Sequence, residues 1–370
     1  MKALSEIGAA VAGTGFIGVV HVEALRRLGI QVHGVVGSTH DRAAARAREL
    51  GLPPAYGSFE AMLDDKRVDV VHITTPNHLH HPQAKAALEA GKHVVCEKPL
   101  TMTSAESADL LRAAETSGRV HAVNYNLRFY PLCQHLHGMV AAGELGDVRL
   151  VSGHYLQDWL LLDTDWNWRV DPGLGGELRA VGDIGSHWMD LTTFLTGKKI
   201  TSVMADLATF IKQRDGREVN TEDAATILVR YEDGVRGALT VSQLSPGRKN
   251  SLRFEIDGAR SAAAWDSERP DELWIGHRGR SSETLLRDPV LLNAEGRRAT
   301  WLPGGHGEGF GDTFKALYAA VYRAVAAGKP GDDYPTFADG HDAILVLEAV
   351  ARSSRERRWV EVDRAVKVAN

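Results

Sequence analysis

The fold of this 370-residue chain is first indicated by the stretch IGAAVAGTGFIG, which spans residues 7–18. An apolar strand ends near Ala12, and a glycine-rich turn then leads into a predicted helix over 16–28. The turn carries the G-x-G-x-x-G spacing of dinucleotide-binding loops, formed by Gly13, Gly15 and Gly18. Such glycines permit a tight turn, close approach of backbone to a pyrophosphate, and packing of helix on strand. The pattern alone is weak, but its place between a strand and a helix favours a dinucleotide site.

Strands and helices alternate through the first 125 residues. In the first helix an apolar residue recurs every three or four positions, which predicts a buried face formed by Ile17, Val20, Ala24 and Leu28. Further strands are predicted at 32–36, 68–74, 93–97 and 120–124, with helices at 41–50, 82–90 and 103–116. Thr103 and Glu106 form a predicted capping box for the last of these helices. The βαβαβ rhythm predicts an α/β domain with a doubly wound parallel sheet over residues 1–128.

The pattern changes after about residue 145, where β-rich stretches joined by short turns replace the alternation. These strands are predicted at 148–156, 201–211, 224–231, 235–244 and 252–256. Asp233-Gly234 is a strong two-residue hairpin signal. Two late helices are predicted at 312–327 and 338–352, the second of which could pack back on the first domain. Antiparallel strands with a few helices predict an α+β domain over residues 129–370.

Composition excludes several classes of protein. Apolar residues make up 44% and charged residues 25%, as in globular proteins. The 43 basic and 48 acidic residues give a net charge of −5, so no basic face for nucleic acid is indicated. The only cysteines, Cys96 and Cys133, exclude a disulfide scaffold and favour a reduced, cytoplasmic compartment. No apolar run reaches the roughly 18 residues of a membrane span, and the glycine-broken N-terminal stretch is interpreted as folded protein rather than a secretory leader.

The end of the second predicted strand lacks the acidic residue that usually binds the ribose of NAD. Residues 36–42 read VGSTHDR instead. Ser38, Thr39 and Arg42 could hold a 2′-phosphate, which favours NADP over NAD. Alternatively, a hydroxyl or Asp41 caps the next helix and Arg42 is solvated.

Three residues have the chemistry for hydride and proton transfer. Lys98 lies in the EKP sequence directly after the fourth strand, at the edge where doubly wound folds bind ligands. A lysine there can lie beside a nicotinamide and donate to a substrate oxygen. Asp183 and His187 lie four residues apart on a predicted helix that ends near Leu195, so they share a face and suit an orienting carboxylate and a general base. The alternatives are a solvated lysine, an N-cap aspartate and a core histidine.

Tryptophan and histidine cluster in two further stretches. Trp159, Trp166 and Trp168 lie within ten residues, beside Arg169. Aromatic faces among polar groups suit a carbohydrate, although loop anchoring explains them equally well. The stretch NHLHH over 77–81 lacks nearby cysteine or carboxylate ligands, so we predict no metal site there and expect it to lie beside the cofactor.

Five motifs in order make the chain resemble the glucose–fructose oxidoreductase/inositol dehydrogenase/MocA (Gfo/Idh/MocA) family of NAD(P)-dependent sugar and cyclitol oxidoreductases. They are the glycine fingerprint, TTPNH at 74–78, EKP at 97–99, NYNLRF at 124–129 and GDIGSH at 182–187. The resemblance extends over most of the chain. It implies a Rossmann domain followed by a domain with a large open, mainly antiparallel sheet. It also implies that the open face of this sheet forms homodimers or homotetramers.

The resemblance also assigns roles to single residues. It makes Lys98, Asp183 and His187 the catalytic group and implies a cis peptide bond before Pro99. The predicted cofactor-binding residues are Gly13, Gly15, Phe16, Ile17, Gly18, Ser38, Thr39, Arg42, Thr75, Pro76, Asn77, His80, Glu97, Lys98 and Asn126. The predicted substrate contacts are Lys98, Arg128, Trp168, Arg169, Asp183 and His187. The chain departs from many relatives at Gly37, where they carry an aspartate.

Motifs and resemblance together predict an enzyme, an NAD(P)-dependent dehydrogenase or reductase. Its substrate would be a secondary alcohol or ketone of a sugar, sugar derivative or cyclitol. An alternative is a glycoside-cleaving enzyme on the same fold, in which the cofactor oxidises and then re-reduces the sugar. A non-catalytic cofactor-binding sensor is a third hypothesis, against which the lysine, aspartate and histidine argue. Neither nucleic acid nor membrane is an expected partner.

Overall fold

A computed structural model describes residues 3–364, and their contacts divide into two units. The first unit contains residues 3–126 and Gly311–Ile344, and the second contains Leu127–Phe310 and residues 345–364. Gly311–Ile344, which the predicted second domain included, therefore makes most of its contacts in the first unit. The outer ends of the two predicted domains, residues 1–2 and 365–370, lie outside the described residues.

The first unit is built on a parallel sheet of five strands in the order β2-β1-β3-β4-β5. The strands are β1 (Gly8–Ala12), β2 (Gln31–Val36), β3 (Val70–Ile73), β4 (His93–Cys96) and β5 (His121–Val123). The helices between them are α1 (Phe16–Arg27), α2 (His40–Glu49), α3 (Phe59–Asp64), α4 (His80–Glu89) and α5 (Ser104–Ser117). Every residue of β1 and β3 is buried, as expected for strands covered on both faces. The predicted doubly wound sheet is confirmed, and its order reverses between β1 and β3, where such folds bind ligands.

Helix α1 buries a different face from the one predicted. Its buried residues are Gly18, His21, Val22, Ala24 and Leu25, whereas Ile17 and Val20 are only half-buried. The predicted face was correct at Ala24 and wrong at Ile17, Val20 and Leu28, and it missed Val22 and Leu25. His21 is fully buried, and its ring nitrogens lie within hydrogen-bond distance of other buried side chains.

In the rest of the first unit, helix α3 was not predicted, and the predicted elements differ from the observed ones mainly at their ends. Helix α4 begins at His80 rather than at residue 82. The capping box is confirmed: Oγ1 of Thr103 accepts from the amide of Glu106 at 3.3 Å, and the Glu106 carboxylate accepts from the amide of Thr103 at 3.1 Å. The sequence therefore predicted this local capping interaction correctly.

The second unit contains a nine-stranded sheet in the order β15-β14-β13-β12-β6-β11-β10-β7-β16. Its strands are β6 (Val148–Leu156), β7 (Ile200–Ala208), β10 (Ala224–Tyr231), β11 (Arg236–Ser242), β12 (Ser251–Gly258), β13 (Ala262–Asp266), β14 (Glu272–Gly276), β15 (Glu283–Leu286) and β16 (Val360–Glu361), while β8 (Gln213–Arg214) and β9 (Arg217–Glu218) form a separate hairpin. Neighbouring strands pair antiparallel except β6 and β11, which pair parallel. The predicted mainly antiparallel α+β architecture is confirmed.

The predicted hairpin between β10 and β11 is confirmed, but its connection is one residue longer than predicted: the Tyr231 amide donates to the Val235 carbonyl at 3.0 Å, so Glu232–Gly234 form the turn. Asp233 has φ +53° and Gly234 has φ +79°, so both occupy the left-handed region. The flanking strands pair antiparallel along their whole length.

The remaining helices are α6 (Pro131–Ala141), α7 (Pro172–Gly175), α8 (Ser186–Thr196), α9 (Ala294–Ala299), α10 (Phe310–Ala327) and α11 (Phe337–Glu356). The first residue of α11, Phe337, is buried in the core formed by the parallel sheet of the first unit. Near its other end, the hydroxyl of Ser353 accepts from the amide of Ala205 on β7. Among residues 3–364, no helix combines the length and apolar character that crossing a membrane requires.

Candidate active site

The turn between β1 and α1 has the geometry that its glycines were predicted to allow. Gly13 has φ +115°, and a Cβ atom there would lie 2.3 Å from Oγ1 of Thr74. A Cβ atom on Gly18 would lie 2.5 Å from the carbonyl oxygen of Gly13, so this glycine lets the helix pack on the turn. At Gly15, no described atom beyond its chain neighbours lies within 4 Å of a Cβ position. This open cradle at the N-terminus of α1 fits a pyrophosphate.

Two features next to this turn bear on the predicted cofactor residues. Phe16 is 74% exposed at the start of α1, and Ile17 is half-buried. At the end of β2, a Cβ atom on Gly37 would lie 3.0 Å from Cγ2 of Thr14. A side chain at position 37 would therefore require Thr14 to move by a few tenths of an ångström.

The hydroxyls and arginines after β2 contact one another. Oγ1 of Thr39 accepts from the amide of Arg42 at 3.3 Å and caps α2, so the capping alternative is confirmed for this residue. Nη1 of Arg42 donates to the hydroxyl of Ser38 at 3.4 Å. Nε of Arg46 donates to the carbonyl oxygen of Thr14 at 3.1 Å. Two guanidinium groups thus lie near the strand end where an NAD site usually has an acid.

The loop after β3 is joined to the loop after β4 by His80. Its Nδ1 lies 2.8 Å from the carbonyl oxygen of Pro99, and its Nε2 lies 2.9 Å from that of Thr75. Burial lowers the pKa of His80, although both carbonyl groups act against this shift. His80 therefore lies between the two loops, and its predicted role as a cofactor contact stays a prediction. Pro76 is half-buried and Asn77 is buried in the same loop.

The histidine-rich stretch that contains His80 gives no indication of a metal. In the described part of the chain, residues 3–364, no group of three or more His, Cys, Asp or Glu side chains is arranged to hold an ion.

Lys98 lies at the carboxyl end of β4, and its peptide bond with Pro99 is cis, as the resemblance implied. The Lys98 amide donates to Oε2 of Glu97 at 3.2 Å, and the amide of the Asn124 side chain donates to Oε1 at 2.5 Å. Lys98 is half-buried, whereas Glu97 is 7% exposed. The predicted cofactor residue Asn126 is buried, and its Nδ2 donates to the hydroxyl of Thr313.

Arg128, a predicted substrate contact, forms a buried ion pair in the second unit. Its Nε and Nη2 donate to the two carboxylate oxygens of Asp190 at 2.8 and 2.5 Å. Its guanidinium also lies 5.2 Å from the ring centroid of Phe194. This bidentate pair gives Arg128 a structural role, which the sequence pattern did not indicate.

Asp183 and His187 lie on a helical segment, but it does not begin as a regular α-helix. Val181–Gly185 form one π-helical turn, closed by a bond from the Ser186 amide to the Val181 carbonyl, and α8 follows. Asp183 is in this turn and His187 is the second residue of α8. The predicted α-helical start was therefore wrong at Asp183. Such single wide turns occur often at functional sites.

The carboxylate of Asp183 is held by two side chains from elsewhere in the second unit. Nε of Arg169 lies 3.1 Å from Oδ1, and Nε2 of Gln243 donates to Oδ2 at 2.9 Å. Gln243 is fully buried, and its Oε1 has no hydrogen-bond partner among the described residues. Two donors on an acceptor-only group favour the ionised form of Asp183.

The three clustered tryptophans differ in what they contact. Trp159 packs on a small buried cluster with Leu160 and Val170, as a loop anchor does. Trp168 instead carries the guanidinium of Arg169 at 4.5 Å from its ring centroid. Trp166, which is 37% exposed, holds an arginine in the same way. Only Trp168 is connected to Asp183, through the guanidinium of Arg169.

Buried charges anchor the turn that carries Asp183. Oε1 of Glu222 accepts from the amide of Val181 at 2.8 Å, and Oε2 accepts from the amide of Arg179 at 2.9 Å. Burial raises the pKa of Glu222 to about 7, although these two amides act to lower it. The neighbouring Asp223 pairs with the guanidinium groups of Arg179 and Arg214, and all three side chains are fully buried.

Sequence reasoning missed several of these supporting residues. They are His21, His72, Arg179, Arg214, Glu222, Asp223 and Gln243. They are polar residues scattered over apolar, irregular and polar stretches alike, so neither periodicity nor spacing marks them. The one available signal was the position of His21 inside an apolar helix face, directly after the glycine turn.

Comparisons with known proteins agree with this fold. A family model described as "Oxidoreductase family, NAD-binding Rossmann fold" matches residues 7–125, and one described as "GFO/IDH/MocA C-terminal domain" matches residues 133–264. Levoglucosan dehydrogenase of Pseudarthrobacter phenanthrenivorans is 30% identical over 97% of this chain and 99% of its own length. These matches define an NAD-binding oxidoreductase. The chain belongs to the Gfo/Idh/MocA family.

Two further relatives are informative. A solved structure of levoglucosan dehydrogenase in complex with NADH and levoglucosan is similar with a TM-score of 0.91 and 29% identity, covering 97% of this chain and 99% of that one. D-xylose 1-dehydrogenase (NADP(+)) 2 of Haloferax volcanii is 36% identical over 50% of this chain and 56% of its own length.

Proposed function

We propose that this protein transfers a hydride between a nicotinamide cofactor and a secondary alcohol or ketone of a sugar, sugar derivative or cyclitol. The observation that carries the proposal is the carboxylate of Asp183, which Arg169 and Gln243 hold four residues before His187. A carboxylate held in this way suits the orientation of an imidazole general base. Relatives named for levoglucosan and D-xylose support a sugar-like substrate.

In the oxidation direction, His187 takes the proton of the substrate hydroxyl, and Asp183 orients the ring and stabilises the resulting imidazolium. Lys98 donates to the same oxygen and stabilises the negative charge that develops on it. The carbinol C–H bond breaks as the carbonyl bond forms, and the hydride leaves the substrate carbon. The bound nicotinamide would supply the hydride acceptor.

The residues that would hold this cofactor lie on the glycine turn and at the carboxyl end of the parallel sheet. We propose Gly13, Gly15 and Gly18 for the pyrophosphate, and Thr75, Pro76, Asn77, Glu97 and Asn126 for the nicotinamide side. The open cradle at Gly15 and the N-terminus of α1 support the first assignment.

We propose that NADP is preferred over NAD. The absence of an acid at Gly37, the hydroxyl of Ser38 and the guanidinium of Arg42 support a 2′-phosphate site. Relatives do not discriminate, because one is named for NADP(+) and another was solved with NADH. Arg42→Ala should raise the KM for NADPH about tenfold and leave that for NADH within about twofold. A wild-type preference for NAD would contradict the assignment.

We also propose that the open face of the nine-stranded sheet forms a homodimer or homotetramer. The strand registers place Leu150, Met204, Leu228 and Trp274 on one face, and each is 39–45% exposed. These apolar side chains alternate on this face with charged ones such as Asp206 and Glu255, and such mixed surfaces are common in interfaces between subunits. Sedimentation of the wild type should show the oligomer, and Leu228→Asp should shift it towards monomer.

The experiment that tests the reaction is a spectrophotometric screen for NAD(P)H formation or consumption. Hexoses, uronates, anhydrosugars, inositols and their keto forms are each offered with NAD and with NADP. On the best substrate, Lys98→Ala and His187→Ala should each lower kcat at least about 100-fold while NADPH still binds. Lys66→Ala removes an exposed lysine of the same unit and should retain activity. Near-wild-type kcat in both catalytic variants would reject the assignment.

The glycoside-cleaving alternative gains no support from the relatives named above, which are dehydrogenases. The same screen distinguishes it, because a hydrolase that oxidises and re-reduces the sugar shows product without a net change in NAD(P)H.

A further inference from the structure

A buried series of side chains in the first unit ends directly behind Lys98 and has no part in the proposed reaction. It connects Tyr322 on α10, His72 on β3, His21 on α1 and Glu97 after β4. Three contacts of 3.0 Å join Tyr322 Oη to His72 Nε2, His72 Nδ1 to His21 Nδ1, and His21 Nε2 to Glu97 Oε1. The first three side chains are fully buried, and Glu97 is 7% exposed.

Proton counting gives this series a direction. An ionised carboxylate only accepts, so His21 must carry its proton on Nε2 to contact Glu97. If its ring is neutral, Nδ1 of His21 is an acceptor, and His72 must donate from Nδ1. A neutral His72 then accepts at Nε2, so Tyr322 must donate to it. One arrangement with two neutral rings thus satisfies all three contacts, and every donor points towards Glu97.

Burial favours this arrangement at its far end. Desolvation holds the pKa of His72 well below its usual value, so His72 carries a single proton. Burial also raises the pKa of Tyr322 well above its usual value, so the phenol retains the proton that it donates. The series therefore begins with a fixed donor.

At its near end, the series joins the backbone of Lys98. Oε1 of Glu97 also accepts from Nδ2 of Asn124, and Oε2 accepts from the amide of Lys98. Tyr318 donates to the other side of the Asn124 amide at 3.4 Å. The further titratable groups near this carboxylate are Cys96, Lys98, His80 and Tyr318. Glu97 thus links a buried donor series to the residue proposed to stabilise the substrate oxygen.

We propose that His21, His72 and Tyr322 are positioning residues that keep Glu97 ionised and oriented, and thereby fix the backbone of Lys98. The inference rests on the proposed role of Lys98. A buried carboxylate that loses an N–H donor is harder to ionise. A buried network with one member unsatisfied is also free to rearrange, and small misplacements of a catalytic group cost much of its effect.

The proton arrangement is tested first, on the purified protein with isotope-labelled histidines. Nitrogen chemical shifts should show His21 as the Nε2–H tautomer and His72 as the Nδ1–H tautomer. His21→Gln and His72→Gln, each of which removes one set of signals, supply the assignments. The opposite tautomers, or a doubly protonated His21, would overturn the proposal irrespective of any enzyme assay.

The positioning role is tested with His21→Leu and His21→Gln on the substrate that the screen identifies. Leucine cannot donate, so kcat should fall about tenfold while the Kd for NADPH changes by about twofold or less. The acid limb of the kcat–pH profile should move to higher pH, because Glu97 becomes harder to ionise. Glutamine can accept from His72 and donate to Glu97 at once, so it should restore both kcat and the profile.

Tyr322→Phe removes only the terminal donor and keeps the ring. His72 is then free to exchange tautomers, so kcat should fall about threefold, with two sets of His72 signals. The control is Tyr334→Phe, since Tyr334 is a buried tyrosine of the same unit whose hydroxyl accepts from the Gly331 amide, outside this series. If His21→Leu does not fold, an equal kcat and pH profile in Tyr322→Phe and Tyr334→Phe would overturn the proposal.

Failure of this inference is distinct from failure of the proposed function. A large loss in Lys98→Ala together with an unchanged kcat and pH profile in His21→Leu overturns the positioning role and leaves the proposed reaction standing. Near-wild-type kcat in Lys98→Ala rejects the proposed reaction, and with it the positioning role.

Discussion

The two units support their proposed catalytic residues in chemically opposite ways. Behind Lys98, the carboxylate of Glu97 is contacted by the side chains of Asn124 and of His21, for which we propose a neutral ring. Behind Asp183, the π-helical turn is anchored by Glu222 and by the buried pair of Arg179 and Asp223. A hydrogen-bonded neutral donor costs little free energy to bury, whereas a buried charge is costly unless a partner of opposite charge contacts it. The first unit should therefore be sensitive to where protons lie, and the second to which charges are present.

The largest expected difference concerns Asp223. It accepts from the guanidinium groups of Arg179 and Arg214 and from the amides of Phe210 and Ile211. Burial alone would raise its pKa, but these donors lower it instead. Asp223→Ala leaves two buried guanidinium groups without their carboxylate partner and should lower the free energy of unfolding by about 3–5 kcal/mol.

Urea denaturation measures this loss, and His21→Leu is the comparison in the other unit. That change leaves the Glu97 carboxylate with two amide donors, from Asn124 and Lys98, and should cost only about 1–3 kcal/mol. Equal losses would show that the contrast between charged and neutral support is mistaken.

The second prediction concerns pH. Burial raises the pKa of Glu222 to about 7 in the folded protein, from 4.5 in the unfolded chain. Between these values the folded state binds the additional proton, so this residue's stabilising contribution is complete below pH 4.5 and is lost as the pH rises to about 7. The loss amounts to at most about 3 kcal/mol.

Denaturation at a series of pH values in that interval tests the sign. Glu222→Gln cannot titrate, so its stability should follow pH less steeply than that of the wild type. If both proteins have the same slope, Glu222 does not titrate there. If stability rose with pH in the wild type but not in Glu222→Gln, the predicted direction of the pH dependence would be wrong.

The third prediction concerns Gln243, the neutral member of the charged unit. Gln243→Leu keeps the side-chain volume but removes the donor to Oδ2 of Asp183. Asp183 then retains Arg169, so kcat should fall about tenfold with a smaller change in KM. The matched control, Gln213→Leu, alters an exposed glutamine of the same unit. A change confined to KM would indicate that Gln243 contacts substrate instead of holding Asp183.

The sequence predicted the strands of the parallel sheet and five strands of the second sheet because their signals are local, whereas β13–β16 and the helices α3, α6, α7 and α9 were not predicted. Strand burial, the Thr103 capping box and the hairpin at Asp233-Gly234 each depend on residues a few positions apart. The glycine turn was legible for the same reason, since Gly13 and Gly18 contact each other within one turn.

The residues that hold the proposed catalytic groups could not be predicted from the sequence, because their partners are distant along the chain. His72 contacts a tyrosine 250 positions away, and Asp183 contacts a glutamine 60 positions away. A single polar residue in an apolar stretch does not show which partner will satisfy it. Arg128 illustrates the same limit, because its position in a motif indicated a substrate contact but not its ion pair with Asp190, 62 positions away.

The smallest expected effect tests whether burial, rather than charge itself, distinguishes the second unit. Arg355 and Glu177 also form an ion pair there, but both side chains are at least 60% exposed. Water solvates both groups when they separate, and ions screen their attraction. Glu177→Gln should therefore change the free energy of unfolding by about 0.5 kcal/mol or less, against several for Asp223→Ala. Addition of salt should leave the wild type and Glu177→Gln equally stable. If Glu177→Gln lost nearly as much free energy of unfolding as Asp223→Ala, charges would stabilise this unit whether buried or exposed. The contrast with the series behind Lys98 would then depend on residue type rather than on desolvation.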